Sequence, residues 1–187
     1  MTVLATDTFD RTDGGLGSNW TAYYAGGGGT IVSNEAKAGV STDSRGSYYN
    51  AVSFPDDQYS KITIGGTLGS GDFWSVGVRL SGGTTTNGYY CSADSTNWYI
   101  TRFDNGTGTD IANNVSTFAV GDVVECRAVG SLISLYKNGS LVGSKTDATY
   151  TTGAAGLGWY NNNVTATTWE GGDFSSGAIV TTAWIRG

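Results

Sequence analysis

The sequence predicts an all-β protein, and two observations support that prediction. The 187 residues include 30 glycines but one proline, and only 14% of them are charged. A chain rich in Thr, Ser, Asn and Gly favours short strands joined by turns over long helices. In segment 121–160, Asn138-Gly139 separates two apolar runs. Because both residues tolerate positive φ, this dipeptide predicts a β-hairpin and an antiparallel sheet.

Further strands are predicted in order along the chain, each a short apolar or alternating run bounded by turn-forming residues. They cover residues 4–9, 30–33, 51–54, 59–64, 73–80, 88–93, 98–103, 155–160 and 167–174. The hairpin around Asn138 lies between the segments 98–103 and 155–160. A polar turn follows the first strand, and the glycines at 26–29 mark a loop. Strands at this spacing predict a sandwich or barrel in one domain.

Side-chain alternation predicts which residues face the core. Val76 and Val78 share one face of their strand, which leaves Arg79 on the other. In the strand around Cys126, the apolar residues alternate with Glu125 and Arg127, so we expect that charged pair to point away from the core.

Several short motifs, in a fixed order, carry a resemblance to a known family. They are Phe9-Asp10-Arg11 with Gly17 and Trp20, Asp57-Gln58-Tyr59, Gly77-Val78-Arg79, Gly88-Tyr89-Tyr90, Tyr136-Lys137-Asn138-Gly139, Thr146-Asp147, Thr152-Gly153 with Gly156-Leu157, and Asp173-Phe174. The chain resembles the concanavalin A-like, laminin-G-like lectin and glucanase superfamily, in the type found in bacterial secreted and phage virion proteins. The resemblance implies a two-sheet antiparallel jelly-roll sandwich with one concave sheet and with its first and last strands paired. We assign residues 1–179 to this domain and 180–187 to a C-terminal tail.

The acidic residues argue against an enzyme. Glycoside hydrolysis needs two carboxyl groups a few ångströms apart, which hydrolases of this superfamily place on one strand. The glutamates are Glu35, Glu125 and Glu170, and none has an acidic residue two or four positions away. A lyase is also disfavoured, since histidine is absent from the chain. A divergent hydrolase or lyase stays the least favoured alternative.

A glycan-binding groove is the main site hypothesis. If their strands belong to one concave sheet, planar polar groups and aromatic rings line it together, a combination suited to sugars. The candidate residues are Arg79, Tyr90, Trp98, Arg102, Glu125 and Arg127. The alternative is that the Arg and Glu side chains pair across strands on a solvated sheet face.

No cofactor is predicted. Without histidine a transition-metal site is disfavoured. Calcium is a weak candidate, because Asp72, Asp94, Asp104 and Asp110 lie in predicted turns, where turn formation is the alternative role. Cys91 and Cys126 form a disulfide if their strands are neighbours, and are otherwise two buried thiols.

The formal charge of −6 disfavours nucleic acid as a partner, and no apolar run is long enough to span a membrane. The first residues lack a secretory signal, so we expect either a mature fragment or a component of a released particle. We predict a location on a virion surface or outside the cell. The candidate partners are other virion or cell-surface proteins and polysaccharide, and an oligomer is compatible with the sequence.

Two binding functions follow from these expectations. The favoured one is a non-enzymatic capsid-decoration, fibre or tail-associated protein of a virion with weak glycan binding, docked through Trp184 and Ile185 of the tail. The alternative is a carbohydrate-binding adhesion module of a secreted bacterial protein.

Overall fold

A computed structural model describes residues 1–23, 27–39, 44–69, 71–83, 85–161 and 163–175. Within these ranges the chain forms sixteen β-strands and no α-helix. The first eight are β1 (Thr2–Asp7), β2 (Gly14–Gly15), β3 (Trp20–Ala22), β4 (Thr30–Val32), β5 (Glu35–Lys37), β6 (Ser44–Tyr49), β7 (Gln58–Ile64) and β8 (Phe73–Ser81). The others are β9 (Asn87–Ala93), β10 (Asn97–Asp104), β11 (Thr107–Val115), β12 (Val123–Val129), β13 (Leu132–Lys137), β14 (Ser140–Thr146), β15 (Ala154–Tyr160) and β16 (Thr165–Asp173). The described residues contain no helix that could cross a membrane.

The strands form two antiparallel sheets. The nine-stranded sheet runs β14-β13-β12-β7-β16-β5-β4-β2, with β1 added beside β16, and the seven-stranded sheet runs β11-β10-β9-β8-β15-β6-β3. Their inner faces pack together as a sandwich, which confirms the predicted jelly roll. The first strand pairs with the last, as the resemblance implied.

The hairpin predicted at Asn138-Gly139 is confirmed. It joins β13 to β14, and the two turn residues have φ values of 50° and 80°. Positive φ at both positions is what a two-residue hairpin turn requires, and asparagine and glycine tolerate it best.

The strand predicted at 51–54 is wrong. Those residues form bends and irregular chain, and the strand in this region is β6, Ser44–Tyr49. Pro55 lacks an N–H for a sheet ladder. Phe54 contacts the ring of Trp169 from the loop, with ring centroids 6.4 Å apart. Its apolar character therefore reflects packing from a loop, not strand pairing.

The core lies between the sheets and is crossed by a disulfide. Trp74, Val76 and Val78 of β8 contribute fully buried side chains from the seven-stranded sheet. Cys91 of β9 is bonded to Cys126 of β12, with Cα atoms 5.5 Å apart. The strands that carry the two cysteines thus face each other, and of the two alternatives the sequence allowed, the structure has the bonded pair.

Candidate functional site

A row of small residues crosses the outer face of the seven-stranded sheet. Ser92 of β9 lies beside Ser75 of β8, Ser75 beside Gly158 of β15, and Gly158 beside Gly46 of β6. Since Ser75 alternates with the buried Trp74 and Val76, this row points away from the core. Because the side chains of this row are small and those on either side of it are large, the row forms the floor of a depression.

Aromatic side chains form a first wall along this floor. Tyr160 pairs in register with Phe73, and their ring centroids are 6.4 Å apart. Tyr99 of β10 extends the wall, with its ring centroid 5.8 Å from that of Phe73. Tyr160 is 38% exposed, so the wall presents ring surface to solvent.

A second aromatic wall lies on the other side of the floor. The ring of Tyr90 meets the ring of Phe103 edge to face at 5.4 Å. Tyr23, which follows β3, stacks on Tyr90 at 5.6 Å. The depression between the walls, which we call the trough, has a volume of about 440 Å³. It is lined by Tyr23, Ser44, Phe73, Ser75, Tyr90, Ser92, Tyr99, Thr101, Phe103, Asp110, Gly158, Trp159 and Tyr160.

The polar groups of the trough are mainly hydroxyls. Ser75, Ser92 and Thr101 lie in it, and Thr101 Oγ1 donates a hydrogen bond to Asp110 Oδ1 at 2.7 Å. Asp110 is exposed on β11, opposite Thr101. Among the described lining residues, Asp110 carries the one carboxyl group, and none is a lysine or an arginine.

Asp94 holds Tyr99 in the first wall. The hydroxyl of Tyr99 donates to Asp94 Oδ2 at 3.0 Å, while Asp94 Oδ1 accepts from the backbone N–H groups of Thr96 and Asn97, each at 2.7 Å. Burial raises the pKa of Asp94, but these hydrogen bonds outweigh it and leave the pKa below its ordinary value. The pKa of Tyr99 is raised by burial and by the carboxylate. This wall residue is therefore fixed as a neutral hydroxyl.

The structure does not bring the six predicted groove residues together, and Tyr90 alone lines the trough. The prediction that Arg79 leaves the core is wrong, because its side chain is 1% exposed. The register between β8 and β9 shifts between Val78 and Ser81, and Arg79 has a φ of 56°. This bulge inserts an extra residue and reverses the alternation, so Arg79 turns inward.

Trp98 and Arg102 share one side of β10, as predicted, but that side faces the other sheet. Trp98 is 6% exposed and covers Gly143 of β14, where a Cβ atom would collide with its ring. Arg102 forms ion pairs with Asp104 and Asp147, at 2.9 and 2.8 Å. Both residues therefore connect elements of the fold and do not line the trough.

Glu125 and Arg127 point away from the core, as predicted, but from the nine-stranded sheet. Arg127 Nε donates to Glu125 Oε1 at 2.6 Å, and the Arg127 guanidinium carbon lies 3.6 Å from the ring centroid of Tyr136 and 4.5 Å from that of Phe174. The groove hypothesis assumed a single sheet, and it fails because β12 belongs to the sheet opposite β9 and β10. The alternative interpretation, charges paired across strands on a solvated sheet face, does not describe these two residues either, because they pair along one strand and their side chains are only 9% and 17% exposed.

The weak calcium candidates are also dispersed. Asp72 accepts from the backbone N–H of Gly69, and Asp104 accepts from Arg102 and Tyr150. Asp94 and Asp110 lie at the trough as described. In the part of the chain that the structure describes, no three Asp, Glu, His or Cys side chains gather where they could hold a metal ion. Trp184 and Ile185, the predicted docking residues, lie outside the described residues.

Most of the trough was missed by sequence reasoning. The signal was present in the same alternation that located the core, since Phe73 and Ser75 lie on the face of β8 opposite to that of Val76. Tyr99 and Thr101 alternate likewise with Trp98 and Ile100. What the alternation does not contain is the order of the strands, which decides that these outward residues become neighbours.

Comparison with known proteins supports the fold. No protein-family model and no curated protein matches the chain. The carbohydrate-binding module CBM66 from Bacillus subtilis is similar in structure, with a TM-score of 0.59 and 20% identity over 83% of this chain and 93% of that one. The exoplasmic/lumenal domain of VIP36, in its Ca²⁺/Man3GlcNAc-bound form, has a TM-score of 0.60 and 10% identity over 82% of this chain and 84% of that one. Sheep galectin-11 in complex with glycerol reaches 0.50 and 10% identity, over 71% of this chain and 98% of its own. This protein therefore has a concanavalin A-like lectin fold.

Proposed function

We propose that the protein is a non-enzymatic carbohydrate-binding domain and that the trough is its binding site. The observation that carries the proposal is the serine and glycine floor between two aromatic walls. Sugar rings have apolar faces that pack on Tyr and Phe, and their hydroxyls exchange hydrogen bonds with Ser, Thr and Asp. Two of the proteins of similar fold are a carbohydrate-binding module and a domain in a Man3GlcNAc-bound form, which agrees with this proposal.

The acidic content of the trough supports binding over hydrolysis. The usual glycosidase mechanism needs two carboxyl groups about 5 to 9 Å apart. Asp110 is the single carboxylate among the described lining residues. A trough of this composition can hold a sugar by packing and hydrogen bonds, without the acid and the base or nucleophile that cleavage requires.

A glycan array followed by calorimetric titration tests the proposal. The wild type should bind at least one class of neutral glycan, and Tyr160→Ala should weaken that binding about tenfold or more, because a stacking platform is lost. Tyr136→Ala is a matched control, since Tyr136 lies on the outer face of the other sheet. Uniformly flat binding on the array, or equal loss in both variants, would refute the proposed site.

We place this activity outside the cytoplasm. A disulfide between β9 and β12 persists best in oxidising surroundings, which supports an extracellular or particle-surface setting. Attachment to a virion stays a prediction from the sequence, as does docking through the C-terminal tail. Co-sedimentation of the protein with purified particles, with and without residues 180–187, tests both.

A further inference from the structure

One end of the trough is closed by Tyr23. This residue is fully buried, and its hydroxyl donates to the backbone oxygen of Leu157 at 3.2 Å. The hydroxyl lies 2.9 Å from the position that a Cβ atom at Gly158 would occupy, and a Cβ at Gly46 would collide with it. Tyr23 therefore lies over part of the two glycines and closes this end of the floor.

The other end of the trough is open. Beside the ring of Tyr99, the lining continues through Thr101 of β10 to Asp110 of the edge strand β11. There, Asn113 pairs with Tyr99, Asp110 with Thr101 and Gly108 with Phe103, and all three β11 residues are exposed. No large side chain of β11 blocks this end among the described residues, so a chain can enter across the sheet edge.

The charge of the lining restricts the ligand. Asp110 is its one charged side chain among the described residues, and it lies at the open end. The whole chain carries a formal charge of −6. An acidic sugar would bring a carboxylate or sulfate to a site without a cation to pair it, whereas Asp110 can accept hydrogen bonds from neutral hydroxyls.

We infer that the trough receives the terminal residues of a neutral glycan chain, which enters over β11 and ends against Tyr23. The inference rests on the proposed carbohydrate-binding function and adds the part of the chain that is recognised. An internal segment of a polysaccharide must leave the site at both ends, and Tyr23 blocks one of them. The closed end therefore selects chain ends, and the absence of lysine and arginine from the described lining residues selects against acidic glycans.

Binding capacity distinguishes chain ends from internal segments. Linear dextran, linear mannan, linear galactan and a linear β-glucan are each prepared in size fractions that differ about tenfold in chain length. Calorimetry then gives the number of protein molecules bound per gram of each. For the polysaccharide that binds, end recognition predicts that capacity rises about tenfold when the chains become tenfold shorter, since the number of ends does. Equal capacity per gram would overturn end recognition while leaving the proposed function intact.

Charge is tested separately with hyaluronan and heparin. We expect their binding to be at least tenfold weaker than that of the best neutral glycan, and equal binding would overturn the preference.

Asp110→Asn should lower the affinity for the neutral glycan several-fold, whereas Asp10→Asn, at an exposed position outside the trough, should not change it. If no neutral polysaccharide binds and the glycan array is flat, both the inference and the proposed function are refuted. The capacity measurement uses the wild-type protein, so it does not depend on any variant folding.

Discussion

The guanidinium group of Arg79 donates two hydrogen bonds to the backbone oxygen of Asp56, from Nε at 3.0 Å and from Nη2 at 2.8 Å. The same group donates to the backbone oxygens of Tyr150 and Gly130, at 3.1 and 2.7 Å. Three separate loop segments thus meet on one buried cation. Because charge-assisted hydrogen bonds are stronger than neutral ones, Arg79 holds these loops against the sheets.

Replacing Arg79 should therefore cost stability and leave the trough intact. In Arg79→Lys a single ammonium cannot reach all three carbonyl oxygens, so we expect the free energy of unfolding to fall by about 3 kcal/mol. Urea denaturation measures the change. Lys145→Ala is the control, because Lys145 is exposed and its loss should change the unfolding free energy by less than about 0.5 kcal/mol. Similar midpoints for the two variants would contradict the structural role.

The disulfide should stabilise the protein by lowering the conformational entropy of the unfolded chain. It closes a loop with a sequence separation of 35 residues. Loop-closure entropy for a loop of that size corresponds to about 4 kcal/mol. We expect the free energy of unfolding of the double variant Cys91→Ala, Cys126→Ala to be lower by that amount, and urea denaturation measures the difference. Dithiothreitol should shift the wild type toward the variant and should have no effect on the variant itself. A wild type insensitive to reductant would argue against the bond.

Asp147 should make the fold sensitive to acid. Burial raises its pKa, but hydrogen bonds from the Tyr89 hydroxyl, from Thr149 and from Arg102 outweigh burial and hold the pKa well below the ordinary 3.8. A carboxyl group with a depressed pKa stabilises the fold above about pH 4, and that contribution is lost as the pH falls toward the folded-state pKa. The difference in unfolding free energy between wild type and Asp147→Asn should be large at pH 7 and shrink below pH 4. A difference that stays constant down to pH 2 would show that the charge of Asp147 is unimportant.

Asp94 should influence sugar binding without touching the sugar, if the proposed site is correct. In Asp94→Asn an oxygen remains for Thr96 and Asn97, but Tyr99 loses its charged acceptor. We expect unfolding to change by less than about 1 kcal/mol and glycan affinity to fall about threefold to tenfold. Tyr99→Phe should show a similar loss, since both changes release the same ring. Calorimetric titration of the two variants measures it. Unchanged affinity in both would mean that the hydrogen bond does not position Tyr99 for binding.

The sequence predicted the local structure well where a local rule decides it. Positive φ at Asn138 and Gly139 is a property of those two residues, and the hairpin followed. The alternation of Val124, Cys126 and Ala128 with charged neighbours correctly placed Glu125 and Arg127 on the sheet face opposite the core, where they pair with each other. These features depend on residues close together in the chain, so their pattern is visible without knowing the fold.

The site depended on information that no local pattern contains. Which sheet a strand joins is decided by long-range pairing, and the groove hypothesis failed because β12 and β10 lie in opposite sheets. The bulge after Val78 reversed the face of Arg79, and alternation alone cannot show an inserted residue. Phe103 forms part of a trough wall because the ring of Tyr90 from the neighbouring strand packs against it, and that pairing is not visible in the sequence.

The floor of the trough takes one small residue from each of four strands, and these residues are neighbours only in the observed pairing. A slip of β8 by a single residue would put Trp74 or Val76 where Ser75 lies and would fill the depression with an apolar side chain. Sugar binding at this site would therefore report the register of these four strands. Molecules in which one of these strands is misaligned would not bind the ligand, even if their secondary structure content were unchanged.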